Sequence, residues 1–288
     1  MMKPVTLIGA AFSVGGAATG SRRAYSFLRR HIVQPTHKLR WHGVVWQNST
    51  TLQRYPNGLP TIRHSCRQLA HKVQLLRHNH FPVVIGGDHS CAIGTWHGMT
   101  LNRAPIGLLW IDAHFDSHTP ATSRSQRIHG MPLAVLLGEG NTQLLSPSHP
   151  ILNPKHTVVF GVHSFEAGEP ELLQRHGIRV YTMAEIRRRG LHCCLSEAWK
   201  TVAACPQGFG ISLDLDSIDP QYAPAVSVAE PAGLPLPLLL SSLARQPKRR
   251  LLALEIAEFN PYLEHHRRTL KALTTLIVTL TTRVKRLS

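Results

Sequence analysis

Three short segments of this 288-residue chain carry side chains of the types that bind metal ions. The densest is the run 112–116, in which Asp112, His114 and Asp116 are each separated by one residue. This run directly follows an apolar stretch that ends at Ile111. Because alternate side chains of an extended strand point to the same side, all three would leave the strand end in one direction.

The other two segments place further candidate ligands after apolar stretches. Asp214 and Asp216 repeat the one-residue spacing at the end of the stretch 208–215. His89 follows the stretch 81–85 and two glycines, which permit a close approach of the backbone. A lone Asp-x-His or Asp-x-Asp is commonly a surface pair or a loop, but three such segments together are far more specific. The metal-ligand candidates are His89, Asp112, His114, Asp116, Asp214 and Asp216.

The crowding of acids predicts what these residues bind. The chain has only 16 acidic residues, and five of them lie in two of the segments: Asp112, Asp116, Asp214, Asp216 and Asp219. Carboxylates crowded at a buried strand end are hard to keep ionised, and bound cations remove that cost. Four ligand carboxylates balance two divalent ions, and oxygens with imidazole and no thiolate suit Mn²⁺ better than structural zinc. Two Mn²⁺ per chain sharing a water would make hydroxide available near pH 7.

The elements that must position these side chains alternate along the chain, without an internal repeat or a linker. Strands are predicted at 5–9, 81–85, 106–111, 157–162, 179–181, 208–215 and 251–257, and helices at 61–77, 168–176, 183–189, 196–204 and 267–286. Continuous apolar strands separated by helices are typical of a parallel sheet covered on both faces. We therefore expect an α/β fold, one domain over 1–288 with three α/β/α layers and a mostly parallel central sheet. In such sheets the chemistry lies beyond the carboxyl ends of the strands.

Composition narrows the class of protein. Hydrophobic residues make up 43% of the chain, enough for a single core, and no apolar run reaches the ~18 residues that span a bilayer. No signal-peptide pattern opens the sequence, so a cytoplasmic protein without a membrane partner is expected. The five cysteines are odd in number and lack the spacing of a metal finger or a disulfide framework, which favours reduced thiols.

The net charge of +16 suggests a different class, a basic nucleic-acid-binding protein. The basic residues lie in scattered short clusters, and no aromatic ladder is interleaved with them. That distribution favours solvated surface charge over a nucleic-acid interface.

The acidic and histidine segments resemble the signatures of the arginase family, also called ureohydrolases. The matching runs are Gly-Gly-Asp-His-Ser at 86–90, Asp-Ala-His-x-Asp at 112–116, His-Gly-Met-Pro-Leu-Ala at 129–134, Ser-x-Asp-x-Asp-x-x-Asp-Pro at 212–220 and Leu-Glu-Ile-Ala-Glu-Phe-Asn-Pro at 254–261. They occur in the order of the family, and the resemblance covers about 5–280. It implies an arginase-like fold, a small-molecule guanidinium substrate and a homo-oligomer, a trimer or a hexamer.

The resemblance also implies roles for individual residues. One manganese would be held by His89, Asp112, Asp116 and Asp214, and the other by Asp112, His114, Asp214 and Asp216, with Asp112 and Asp214 bridging. His129 stands at the family's proton-shuttle position, and Glu258 where a carboxylate pairs with the substrate guanidinium. Asp88 and Asp219 are expected to support the backbone rather than to bind metal.

The substrate end of the site departs from the family pattern. His118 stands where arginases place an Asn that contacts the substrate carboxylate, whereas Ser125 is retained from the family's Ser-Gly-Asn. Glu166 and Glu169 fall near the acids that recognise the substrate amine, and Val228 replaces a customary Thr. The expected substrate-binding residues are therefore His118, Ser125, Glu166 and Glu169.

The expected reaction is the hydrolysis of L-arginine to L-ornithine and urea. The alternatives left open are an agmatinase, a guanidinobutyrase or a formimidoylglutamase, and Arg124 and Arg127 either bind a substrate carboxylate or are solvated loop charges. More distant alternatives are a single-zinc deacetylase-like amidohydrolase and a basic nucleic-acid-binding protein with a vestigial site.

Overall fold

A computed structural model describes residues 3–32, 39–141, 143–144 and 151–282. Within them, one eight-stranded sheet has the order β2-β1-β3-β8-β7-β4-β5-β6. The strands are β1 Val5–Ala11, β2 Arg40–Trp46, β3 Phe81–Gly86, β4 Ile106–Ile111, β5 Leu152–Val162, β6 Arg179–Thr182, β7 Phe209–Asp214 and β8 Leu251–Ala257. Each pair of neighbouring strands is parallel. The predicted sheet is therefore confirmed, and its named strands are entirely parallel.

Helices cover both faces of this sheet. They are α1 Ala24–His31, α2 Leu59–Leu76, α3 Cys91–Thr100, α4 Pro132–Leu136, α5 Glu169–Arg175, α6 Met183–Arg189, α7 Leu191–Ala203, α8 Leu236–Ala244 and α9 Arg268–Thr281. Leu109 of β4 belongs to an apolar cluster with residues of α1 and α6–α9, whereas its neighbour Trp110 belongs to a second cluster with residues of α2–α5. Alternate strand residues thus point into two cores, which confirms the three-layer α/β/α architecture. That 1–288 forms a single domain stays a prediction.

Several elements differ from the sequence-based expectation. The edge strand β2 is not predicted, because polar residues and a glycine interrupt its apolar character and much of it is exposed. Helix α3 is not predicted either, because nearly all of its residues are buried and it shows no polar face. The helix expected at 267–286 is observed as α9 over Arg268–Thr281, and 283–286 lie outside the described residues. In the described ranges no helix is both long and apolar enough to cross a membrane.

The sheet order brings the predicted functional segments together. The segments that carry the candidate ligands follow β3, β4 and β7, and the segment with Glu258 follows β8. These four strands are neighbours in the middle of the sheet, in the order β3-β8-β7-β4. Because all four are parallel, their carboxyl ends lie at the same edge, and the side chains that follow them converge there.

Candidate metal centre

Asp112, the first residue after β4, is held in place by two hydrogen bonds. Its Oδ2 accepts one from Trp110 Nε1 at 2.9 Å, and its Oδ1 accepts one from the backbone N–H of His114 at 2.8 Å. The Trp110 ring also stacks on the His89 imidazole, with 4.2 Å between ring centroids. The strand end therefore fixes both a carboxylate and the ring beside it.

The fully buried His89 directs its Nδ1 at three carboxylates. The nearest oxygens lie 3.2 Å away on Asp112, 3.0 Å away on Asp116 and 3.1 Å away on Asp214. Nδ1 makes a well-formed hydrogen bond to none of the described residues. A buried nitrogen without a hydrogen bond, surrounded by carboxylate oxygens, fits a shared cation better than it fits a hydrogen-bond network. The residues present thus fit a first divalent ion.

A second cluster shares one of these carboxylates. His114 Nδ1 lies 3.2 Å from Asp216 Oδ2 and 3.5 Å from Asp112 Oδ1. The ligand atoms of His89, Asp112 and Asp116 lie within 4.8 Å of one another, and so do those of Asp112, His114 and Asp216. Because Asp112 belongs to both clusters, the arrangement fits two ions with a bridging carboxylate.

The electrostatics explain why this cluster needs cations. Burial, and then the negative charge of Asp112, raises the pKa of Asp116 to about 7 and that of Asp214 to about 6. Burial, and then the charges of Asp214 and Asp112, raises the pKa of Asp216 well above its ordinary value. Divalent ions between these groups would offset both the burial and the mutual repulsion, and so favour the ionised carboxylates.

His129 and Glu258 form a pair beside the cluster. His129 Nδ1 lies 3.1 Å from Glu258 Oε1, which also accepts a hydrogen bond of 3.0 Å from the backbone N–H of His89. Burial opposes a charge on the imidazole, but the hydrogen bond and the charge of Glu258 prevail and raise the pKa of His129 to about 9. Glu258 has a φ of 65°, a left-handed conformation that turns its carboxylate back toward β3.

A cavity of about 310 Å³ opens above the cluster. The expected substrate residues lie on its wall, with the ligands Asp214 and Asp216 and the pair His129 and Glu258; they are His118, Ser125, Glu166 and Glu169. Arg124 and Arg127 do not line it, and the Arg127 guanidinium instead donates to the backbone oxygen of Gly16 at 2.6 Å. Arg127 therefore anchors a loop.

Glu166 and Glu169, two neighbouring acids of the cavity, differ in whether their carboxylates are available to bind a ligand. Glu169 is buried, and its carboxylate accepts hydrogen bonds from the backbone N–H groups of Ser117 at 3.2 Å and Glu166 at 3.0 Å. His118 Nε2 lies 3.4 Å from the same carboxylate. Glu166, with 47% of its side chain exposed, keeps its carboxylate available to a ligand.

The two acids expected to support the backbone make such contacts. Asp88 accepts hydrogen bonds from the backbone N–H groups of Gly15 at 3.2 Å and Ser90 at 3.1 Å. Asp219 accepts one from the backbone N–H of Gln221 at 2.9 Å, within the turn that follows β7. Neither belongs to the ligand clusters.

Sequence reasoning misses the residues that lie behind the ligands. His89 Nε2 lies 3.0 Å from Ser212 Oγ, which in turn donates to Glu255. His114 Nε2 lies 3.2 Å from Glu230 Oε1. Ser212 shares the one-residue spacing of Asp214 and could have been found from that pattern. Glu230 lies in a loop with no regular spacing, so nothing in the sequence indicates its contact.

Comparison with known proteins places this chain in a family. The model of the Arginase family matches residues 3–282. The chain is 32% identical over 284 residues to an arginase of Bacillus caldovelox, covering 93% of this chain and 94% of that one. It is 38% identical over 219 residues to the arginase of Bacillus subtilis strain 168, covering 74% and 73%. A crystal structure of Bacillus subtilis arginase superposes with a TM-score of 0.90 at 32% identity, over 98% of this chain and 99% of that one.

The fold is shared more widely. A formimidoylglutamase of Bacillus subtilis superposes with a TM-score of 0.78 at 23% identity, over 97% of this chain and 86% of that one, which is a likeness of fold alone. Sequence identity is higher with the Bacillus caldovelox arginase, at 32% over 93% of this chain, and the family model matches residues 3–282. On these grounds the chain belongs to the arginase family of ureohydrolases.

Proposed function

We propose that this protein hydrolyses L-arginine to L-ornithine and urea with two Mn²⁺ ions. The observation that carries the proposal is the convergence of two ligand clusters, joined by Asp112, beneath a cavity that contains the His129–Glu258 pair. In the reaction, water oxygen bonds to the guanidinium carbon, the bond from that carbon to the side-chain nitrogen breaks, and a proton moves to the departing amine.

The metal assignment follows from the two clusters. One ion would be held by His89, Asp112, Asp116 and Asp214, and the other by Asp112, His114, Asp214 and Asp216. When bound, the two ions lower the pKa of a shared water, so that hydroxide is available at neutral pH. The unbonded Nδ1 of His89 and the raised pKa values of three of these aspartates support this assignment.

Glu258 and His129 are proposed to bind the guanidinium and to move the proton. Glu258 Oε1 already accepts from His89 and lies next to His129, which leaves Oε2 for a charge-assisted contact with the guanidinium. That contact would place the carbon over the ions. His129, which carries a proton at neutral pH because Glu258 raises its pKa, would donate to the departing amine.

The far end of the cavity is proposed to bind the amino-acid part of the substrate. Glu166 is suited to the α-amino group because its carboxylate is exposed, whereas Glu169 is engaged with the backbone and shapes the loop. Ser125 lies on the same wall and can donate a hydrogen bond to the α-carboxylate. Both ring nitrogens of His118 face other partners, Nδ1 at 3.1 Å from Thr122 Oγ1 and Nε2 at 3.4 Å from the Glu169 carboxylate, so His118 shapes this wall.

Agmatine is the second candidate substrate. No lysine or arginine is among the residues described as lining the cavity, and agmatine resembles arginine without the carboxylate. A site without a strong carboxylate partner would tolerate that difference.

The family also implies a cytoplasmic homo-oligomer, either a trimer or a hexamer. Light scattering would measure the mass of that oligomer.

One experiment separates these activities. Urea release is measured with arginine, agmatine and guanidinobutyrate, formamide release is measured with formiminoglutamate, and metal content is determined on the same sample. We expect turnover of arginine with two Mn²⁺ per chain. A higher kcat/KM for agmatine than for arginine would transfer the proposal to agmatine. One zinc per chain, or no turnover of any of the four compounds, would refute the proposal.

A further inference from the structure

Glu230 contacts a metal-ligand candidate from the side opposite the aspartates. Its Oε1 lies 3.2 Å from His114 Nε2, while His114 Nδ1 lies 3.2 Å from Asp216. We propose that Glu230 is a positioning residue for the second metal: it accepts the Nε2–H of His114 and thereby directs the Nδ1 lone pair into the second cluster. The inference rests on the proposed binuclear site.

The same arrangement recurs at the other histidine. His89 also directs Nδ1 at carboxylates, and its Nε2 lies 3.0 Å from Ser212 Oγ and 3.6 Å from Glu255 Oε2. A metal-binding imidazole is held in one tautomer and one orientation when its other nitrogen donates to a carboxylate or a similar acceptor. Each imidazole thus has its own acceptor, a buried pair behind His89 and Glu230 behind His114.

The loop that carries Glu230 is fixed at both ends, so the contact is not an accident of a free side chain. Before it, Val226 forms an antiparallel bridge with Phe259. After it, Leu234 exchanges backbone hydrogen bonds with Ser217 and Asp219, at 2.8 and 3.1 Å. Pro231 follows Glu230 directly and restricts its backbone to extended conformations.

The acceptor groups behind the two histidines differ in exposure, so the inference predicts different effects on the two ions. The Ser212 and Glu255 side chains are fully buried, whereas 22% of the Glu230 side chain and 25% of the His114 side chain are exposed in the cavity. Water can compete for His114 once Glu230 is lost, but it cannot reach His89. Changes at Glu230 should therefore weaken the ion held by His114 and spare the ion held by His89.

The test measures metal binding, not turnover. Stepwise Mn²⁺ binding to the metal-free protein is followed by calorimetry and by electron paramagnetic resonance, which distinguishes a spin-coupled pair from a single ion. We expect E230L to weaken the second binding step about 10–100-fold and to leave the signal of a single ion at metal concentrations that fill both sites of the unaltered protein. E230Q keeps an acceptor and should lose less than E230L.

E166Q is the matched control, because Glu166 lies on the same cavity wall and the change removes one charge without contacting a ligand histidine. Equal effects of E166Q, E230Q and E230L would overturn the inference, because they would indicate only a long-range effect of charge. The absence of any effect of E230L on metal binding would overturn it too. If E230L does not fold, E230A, which also removes the acceptor, takes its place in the comparison with E166Q. Failure of the unaltered protein to bind a coupled pair would instead refute the proposed function.

Discussion

At the scale of single residues, two acids of the candidate site have strained backbone conformations. Asp116 and Glu258 both have positive φ values, 51° and 65°, which non-glycine residues rarely adopt. Asp116 faces the His89 imidazole, and Glu258 faces the His129 imidazole. Backbone hydrogen bonds hold both residues: Leu133 donates to Asp116 at 2.8 Å, and Glu258 donates to Gly87 at 2.9 Å. The strain therefore lies where the chemistry is proposed.

Replacing the proposed proton donor tests its role. We expect H129A to lower kcat for arginine about 10²–10⁴-fold, because the departing amine then lacks a positioned acid. Metal content should stay at the unaltered level, since His129 is not in either ligand cluster. A variant with normal kcat, or one that has lost its manganese, would contradict the assignment.

Replacing Glu166 tests substrate recognition separately from chemistry. E166Q should raise KM for arginine more than it lowers kcat, because the lost contact lies far from the reacting carbon. Steady-state kinetics at saturating Mn²⁺ measure both constants. Glu171, an acid outside the residues lining the cavity, supplies the control E171Q. Equal KM values for the two variants would exclude Glu166 from the substrate contact.

At the scale of helices and strands, helix α3 packs closely on strand β7. Each of these two elements adjoins a candidate metal ligand. A Cβ added at Gly210 of β7 would lie 2.0 Å from the ring of Trp96, which is fully buried in α3. The glycine thus lets the helix that begins two residues after His89 approach the strand that ends at Asp214.

The variant G210A should therefore be unstable. Overpacking of this kind costs about 1–3 kcal/mol, because either the indole or the helix must shift. Urea unfolding of the metal-free protein measures the loss. G130A is the control, since a Cβ there meets nothing closer than His118 at 3.9 Å. Equal stability of the two variants would mean that α3 adjusts without cost.

The reactivity of the cysteine thiols tests the described burial. Cys193 of α7 is exposed, whereas Cys66, Cys91, Cys194 and Cys205 are buried. Burial raises the pKa of the Cys66 and Cys91 thiols, which lowers their reactivity further. We expect an alkylating reagent at neutral pH to label Cys193 alone in the folded protein, as located by peptide mass spectrometry. The C193S variant should remain unlabelled until it is unfolded.

Whether the sequence predicts a feature depends on how far apart along the chain the interacting residues are. The spacing in 112–116 predicts a shared direction because it depends only on the local backbone of one strand. Helix α3 is missed because burial on all sides removes its period, and β2 is missed because it is polar. Glu230 is missed because its contact with His114 spans 116 residues of separation and depends on where the loop closes.

At the scale of the whole molecule, we expect folding and metal binding to be coupled. The folded chain holds Asp112, Asp116, Asp214 and Asp216 together, and this crowding costs free energy that is absent in the unfolded chain. Removing metal by chelation should therefore lower Tm, and returning Mn²⁺ should restore it, with about 2.7 kcal/mol of stabilisation for each bound ion at 100 times its Kd. Differential scanning fluorimetry measures the shift, and Mg²⁺ at the same concentration is the control. A Tm that does not respond to Mn²⁺ would contradict the coupling.

The place of β8 in the sheet has a consequence for biosynthesis. β8 is the last strand in the described sequence, yet it lies between β3 and β7 and joins a three-stranded half of the sheet to a four-stranded half. A nascent chain on the ribosome can pair each half by itself, but the halves meet only after residues 251–257 emerge. His89, which follows β3, and the candidate ligands at the ends of β4 and β7 belong to different halves, so the proposed ion site that includes His89 would be completed only late in translation.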